Sequence, residues 1–189
     1  MLKKLFCFSF ILLLLSITST TFADADLVAY YGMEEGSGST VADPVGGNDG
    51  TTDGSPTWVA GPDGFGTALR FIGATSGVEC GTFEPAVDGK VSIAFWAYFE
   101  GTTGDQYQGL IAKAQASDSQ EFMLEVFGTS GNIYWNSTGT DDWNLTTLPT
   151  GKWAHVAIVH DNASAKTDIY LDGVFKRTSG VTWGTGSPN

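Results

Sequence analysis

The chain has 189 residues, 42% hydrophobic and only 16% charged, with 25 glycines, 6 tryptophans, 6 tyrosines, 12 phenylalanines and a net charge of -12. A chain this rich in aromatic and β-branched residues can bury a core, which argues against intrinsic disorder, and glycine without a three-residue period excludes collagen. Nine bases against 21 acids, with no basic cluster outside the first four residues, argue against nucleic acid and anionic membranes and leave neutral ligands, cations or proteins as partners.

Lys3 and Lys4 precede a mostly apolar stretch, Leu5–Ile17, too short for the roughly 20 residues that a membrane-spanning helix needs. It reads as a secretory signal, with small residues predicting cleavage after Ala25 and cleavage after Ala23 as the alternative. Residues 1–25 are therefore expected to be a signal peptide and residues 26–189 one secreted domain, not inserted in a membrane after cleavage. Removing the leader takes away two lysines and one aspartate and leaves Cys80 as the sole cysteine, so this domain has no internal disulfide.

Beyond Asp26 the apolar segments are short and bounded by Gly, Pro, Asn, Asp or Ser, which predicts an all-β chain. The predicted strands are Leu27–Met33, Ala68–Ile72, Val91–Phe99, Gly109–Lys113, Glu121–Phe127, Asn132–Asn136, Trp153–His160, Thr167–Leu171 and Val174–Thr178. Between the first two lies Asp43-Pro44-Val45-Gly46-Gly47-Asn48-Asp49-Gly50, a glycine-rich loop with oxygen donors suited either to a hard cation or to an Asx-type turn that satisfies itself. In Val91–Phe99 both alternating sets are apolar, which predicts a strand covered on both sides or lining a groove. Gly128-Thr129-Ser130-Gly131 is the turn of one hairpin. Asp172-Gly173 is the two-residue turn of another, whose register sets Leu171 opposite Val174 and Tyr170 opposite Phe175.

Sugar recognition needs aromatic faces for C–H surface and polar groups for hydroxyls. The best cluster is Asp141-Asp142-Trp143-Asn144, between strands, with Tyr134 as a ring presented on a curved sheet face. The plainer alternative is a Trp143 that folds back as a plug and a Tyr134 in the core. His155 and His160 are five apart on one strand, hence on opposite faces, and cannot share a metal. No G-x-S-x-G elbow or phosphate-binding loop occurs, and Cys80 has no basic partner nearby in sequence.

Six segments carry a family resemblance. Leu27-Val28-Ala29-Tyr30-Tyr31-Gly32-Met33-Glu34-Glu35-Gly36-Ser37-Gly38, Asp43 through Gly50, Gly66-Thr67-Ala68-Leu69-Arg70-Phe71, Val91-Ser92-Ile93-Ala94-Phe95-Trp96, Lys152-Trp153-Ala154-His155-Val156-Ala157 and Ile169-Tyr170-Leu171-Asp172-Gly173 follow in family order. Together they resemble the concanavalin A-like, laminin G-like jelly-roll domains of secreted bacterial proteins. The resemblance implies a two-sheet antiparallel jelly-roll sandwich lacking its C-terminal strands, since the family's L-x-I-G and I-D-x-V-R-I-Y strands do not appear before Asn189. It also implies a structural Ca²⁺ held by Asp43, Asn48 and Gly50, a structural His155, and core positions for Trp96 and Trp153.

Some glycoside hydrolases share this architecture and carry paired acids on one strand. Here Glu121 and Glu125 share a face but stand roughly 13 Å apart with Met123 between them, too far for either usual geometry. The expectation is a non-catalytic module that binds polysaccharide or an extracellular protein through Tyr134, Asp141, Trp143 and Asn144. A carbohydrate-active enzyme and an adhesive spacer are the alternatives.

Overall fold

The computed structural model describes residues 26–72, 75–81, 89–101, 107–115, 119–137, 140–142 and 144–180. Residues 1–25, expected above to be a signal peptide, and residues 181–189 lie outside them. Every regular element in the described residues is a strand. In chain order these are β1 (Thr40–Val41), β2 (Gly50–Asp53), β3 (Thr57–Ala60), β4 (Thr67–Arg70), β5 (Gly77–Glu79), β6 (Lys90–Tyr98) and β7 (Tyr107–Gln115). They continue as β8 (Ser119–Phe127), β9 (Asn132–Ser137), β10 (Thr140–Asp142), β11 (Trp153–Asp161), β12 (Lys166–Leu171) and β13 (Val174–Ser179).

Two four-stranded antiparallel sheets, ordered β13-β12-β11-β6 and β10-β9-β8-β7, make the sandwich. Strand alternation sends one side chain in two inward. Ile93, Phe95 and Ala97 of β6, Ala154, Val156 and Ile158 of β11 and Ile169 of β12 pack with Phe122, Leu124 and Val126 of β8 and Ile133 and Trp135 of β9. Each large apolar side chain so buried stabilises the fold by about 1.5–3 kcal/mol. Trp135 is fully buried and stacks on Phe122 with ring centroids 5.4 Å apart.

The chain after β10 closes one end of this core. Leu145 N–H donates to the Ile133 carbonyl, Ile133 N–H to Thr146 and Leu148 N–H to Gly131, which carries Leu145 and Leu148 into buried positions. His160 also turns inward from β11, with Nδ1 2.8 Å from the Thr167 hydroxyl. Burial pushes its pKa down against the opposing pull of Asp161, so the imidazole enters the core neutral. At one lateral edge Arg177 of β13 reaches Asp142 of β10 at 3.0 Å, joining the two sheets.

Two small sheets, β1-β2-β5 and β3-β4, flank the sandwich in sequence. Arg70 at the end of β4 pairs with both oxygens of Glu100, just after β6, at 2.8–3.1 Å. The expected strand Leu27–Met33 is not one: among the described residues it joins no ladder. Its Tyr30 N–H goes to the Asp43 carboxylate, its Tyr31 hydroxyl to the Asn48 carbonyl, and Met33, whose carbonyl accepts the Thr67 hydroxyl, has φ 56°, which breaks an extended run. Both predicted hairpins form in the expected register: Leu171 faces Val174, Tyr170 faces Phe175, and Phe127 faces Asn132. Asp172 and Gly173 have φ of 52° and 73°, as a type I′ turn requires.

Candidate functional site

The outward face of the β13-β12-β11-β6 sheet is aromatic. Because Ala97 and Ala154 point inward, their neighbours Trp96, Tyr98, Trp153 and His155 point outward. The β6–β11 register then sets Trp96 opposite His155 and Tyr98 opposite Trp153. Their rings meet edge to face, with centroids 5.3 Å and 5.4 Å apart. Trp96 remains 40% exposed and Tyr98 45%, so each is braced by a neighbour yet offers a free surface. Two strands away, Tyr170 and Phe175 form a further edge-to-face pair on the same face, 5.6 Å apart.

A loop from the β3–β4 hairpin adds a wall. Phe65 N–H bonds to the Pro62 carbonyl, closing a turn in which Gly64 holds φ 84°, a value that side chains resist. The turn carries the Phe65 ring to 5.3 Å from Trp96, leaving Phe65 51% exposed. The opposite end of the sheet face is polar: Asp168 accepts the Thr178 hydroxyl at 2.5 Å, and Lys90 lies 4.0 Å from Asp161. Exposed ring faces at one end and acids able to accept hydroxyls at the other suit an extended ligand with both C–H faces and hydroxyls.

Trp96 and Trp153 are therefore not core residues, contrary to the expectation from the motif. The core takes the small neighbours Ala97 and Ala154 instead. The signal was present in sequence: the set Ala94/Trp96/Tyr98 left open a strand that lines a groove, and Trp153 and His155 share one parity on their own strand.

The loop Asp43 through Gly50 is built around the Asp43 carboxylate, which is buried. Oδ1 accepts N–H groups from Tyr30, Val45 and Gly46 at 2.9–3.1 Å, and Oδ2 accepts both the backbone N–H and the side-chain amide of Asn48 at 3.3 and 3.5 Å. Burial alone would raise the pKa of this acid, but the backbone N–H groups of Gly46, Tyr30, Asn48 and Val45 outweigh it and hold the pKa at about 2. This donor set does not fit calcium. A carboxylate offers about four lone-pair sites, and five N–H groups already converge on Asp43. The Asn48 carbonyl accepts the Tyr31 hydroxyl, and Gly50 pairs with Val41, where a Cβ would come within 2.5 Å of Val78. Among the described residues no group of three or more His, Cys, Asp or Glu could hold a metal ion.

The other residues expected to bind ligand are dispersed. Tyr134 is only 4% exposed, its ring 5.6 Å from Tyr107 on the outward side of the second sheet, so it presents no open ring face. The main chain of Asp141 pairs with Asn136, while its side chain and the whole of Trp143 lie outside the described residues. Asn144 is exposed with φ 61°, and its carbonyl accepts a guanidinium N–H of Arg177 at 3.5 Å. Glu125 lies on the outward side of β8, and the Glu121 side chain is outside the described residues.

Comparison with known proteins agrees with this architecture. The profile of the Laminin_G_3 family, described as the concanavalin A-like lectin/glucanases superfamily, matches residues 72–189. In structure the chain is similar to domain 4 of AbnA, a GH43 extracellular arabinanase from Geobacillus stearothermophilus, in complex with arabinotriose. The TM-score is 0.53, with 21% identity over 81% of this chain and 74% of that one. No curated protein matches by sequence. With its all-strand sandwich and a profile match across more than half its length, the chain belongs to the concanavalin A-like lectin/glucanase superfamily.

Proposed function

We propose that this protein is a secreted, non-catalytic glycan-binding module whose binding surface is the outward face of the β13-β12-β11-β6 sheet. The observation that carries the reading is the row of braced, exposed rings Phe65, Trp96 and Tyr98, backed by His155 and Trp153. Rings locked by their neighbours lose little freedom when a sugar stacks on them, so more of the contact energy appears as affinity. The net charge of -12 favours a neutral polymer over an anionic one. The similarity to an arabinanase domain bound to arabinotriose makes arabino-oligosaccharides the first probes.

The same reading gives the carboxylates no catalytic part. Met123 separates Glu121 from Glu125 on β8, and residues four apart on a strand are roughly 13 Å from each other, beyond retaining and inverting geometries. The Asp43 loop enters as a self-satisfied knot of the scaffold rather than as an ion site.

Titration of a panel of neutral oligosaccharides, arabinotriose included, tests the proposal. Trp96→Ala is expected to weaken binding by about tenfold or more, the equivalent of roughly 1.4 kcal/mol, with the melting temperature little changed. A panel that stays blank with the native protein leaves the adhesive-spacer reading in its place. Hydrolysis of a polysaccharide that disappears in Glu121→Gln would establish an enzyme instead.

A further inference from the structure

The opposite sheet carries a second, smaller aromatic surface around the buried Tyr134. On its outward side the register sets Tyr107 opposite Phe127, Gly109 opposite Glu125, and Glu125 opposite Tyr134. The Tyr107 ring lies 4.7 Å from Phe127 and 5.6 Å from Tyr134, tilted by 46° and 48°. Tyr107 is 47% exposed while Tyr134 is buried, so Tyr107 is the exposed member of a tilted three-ring cluster. Two positions along β7, roughly 7 Å away, Gly109 supplies no side chain. Among the described residues no atom lies within 4 Å of where its Cβ would sit. This leaves a notch one residue wide between the Tyr107 ring and the half-buried Glu125 on the neighbouring strand.

Resting on the glycan-binding reading above, we propose that Tyr107, Gly109 and Glu125 form a second glycan subsite, which makes the module bivalent with its two sites on opposite faces. One sugar ring lays its C–H face on Tyr107, sits in the notch over Gly109, and donates hydroxyl hydrogens to the Glu125 carboxylate. The chemistry selects this ligand in three ways. The exposed ring is held by the two tilted against it, the acid accepts hydroxyl donors, and the missing Cβ provides room for a sugar ring. Because the two faces belong to different sheets of one sandwich, neither site blocks the other, and a single module bridges two polymer strands.

Isothermal titration with a panel of neutral trisaccharides, arabinotriose among them, separates the two sites. The native protein is expected to bind two ligands per chain, Trp96→Ala one and Tyr107→Ala one. Tyr107→Phe should keep the second site, which distinguishes a stacking contact from a folding defect. Gly109→Val should abolish it by filling the notch, and Glu125→Gln should weaken it about tenfold. A stoichiometry of one that Trp96→Ala removes and that Tyr107→Ala and Gly109→Val leave untouched overturns the second subsite and keeps the first. A native protein that titrates with no member of the panel overturns both readings.

Discussion

Asp43 shows how one side chain can organise a loop through backbone N–H groups. Its carboxylate gathers the N–H groups of Tyr30, Val45, Gly46 and Asn48, so the ionised form is the one the fold prefers. The folded pKa of about 2 lies below the ordinary value of 3.8, and the sign of the linkage follows. Stability from this group, about 2 kcal/mol, is complete above pH 4 and is lost as the pH falls from about 4 toward 2. Urea denaturation between pH 7 and pH 2 should show that loss in the native protein, and Asp43→Asn should flatten it. Asp43→Ala strands several buried donors and should cost about 3 kcal/mol, whereas a calcium chelator should leave the native melting temperature unchanged. The sequence displayed this loop and both of its chemistries, a cation site and a self-satisfied turn. Only the directions of the N–H groups, set by chain segments as distant as Tyr30, decide between them.

At the level of elements, the strands that were legible are those with strong apolar alternation or explicit turn chemistry. Both hairpins fall in register because Asp172-Gly173 and Gly128 through Gly131 fix the pairing locally. The short strands Thr40–Val41, Gly50–Asp53, Thr57–Ala60, Gly77–Glu79 and Thr140–Asp142 are two to four residues long, too short for an alternating pattern, and exist through their neighbours rather than through propensity. Leu27–Met33 is the converse, apolar enough for a strand yet held by single hydrogen bonds instead of a ladder. The edges of the two large sheets are joined in a way no local pattern reveals, through Arg177 on β13 and Asp142 on β10. With Arg177 half exposed the pair is screened, so Arg177→Gln should lower stability by only about 0.5–1 kcal/mol. A double-mutant cycle with Asp142→Asn, read by urea midpoint, checks that coupling.

For the molecule as a whole, the all-β sandwich was legible and the candidate binding surface was not. The sequence marks Trp143 between strands and Tyr134 on a sheet face as the presented aromatics, and the family motif implies an interior place for Trp96 and Trp153. Which of two apolar faces of β6 turns inward depends on the opposing sheet, and that is a property of tertiary packing. The core fills with Phe122, Leu124, Ile133 and Trp135 from β8 and β9, and this leaves room for Ala97 and Ala154 but not for Trp96 and Trp153. Two bulky rings are thereby displaced outward and become the candidate site. Tyr134 shows the same dependence in reverse, since the ring meant to be presented lies beneath Tyr107.

The aromatic end of the β6–β11 face has one further consequence. Phe65, Trp96, Tyr98 and Trp153 carry no charge; the Arg70–Glu100 pair lies just past the end of β6, and Lys90–Asp161 sits at the far end of the same strands. Contacts made by uncharged rings with neutral sugars release no counterions and are not screened. Binding should therefore hold constant between about 0.05 and 1 M sodium chloride, a range in which charge-driven adhesion fades, and titration across it provides the measurement. A surface of this kind keeps its grip in dilute and in briny surroundings alike.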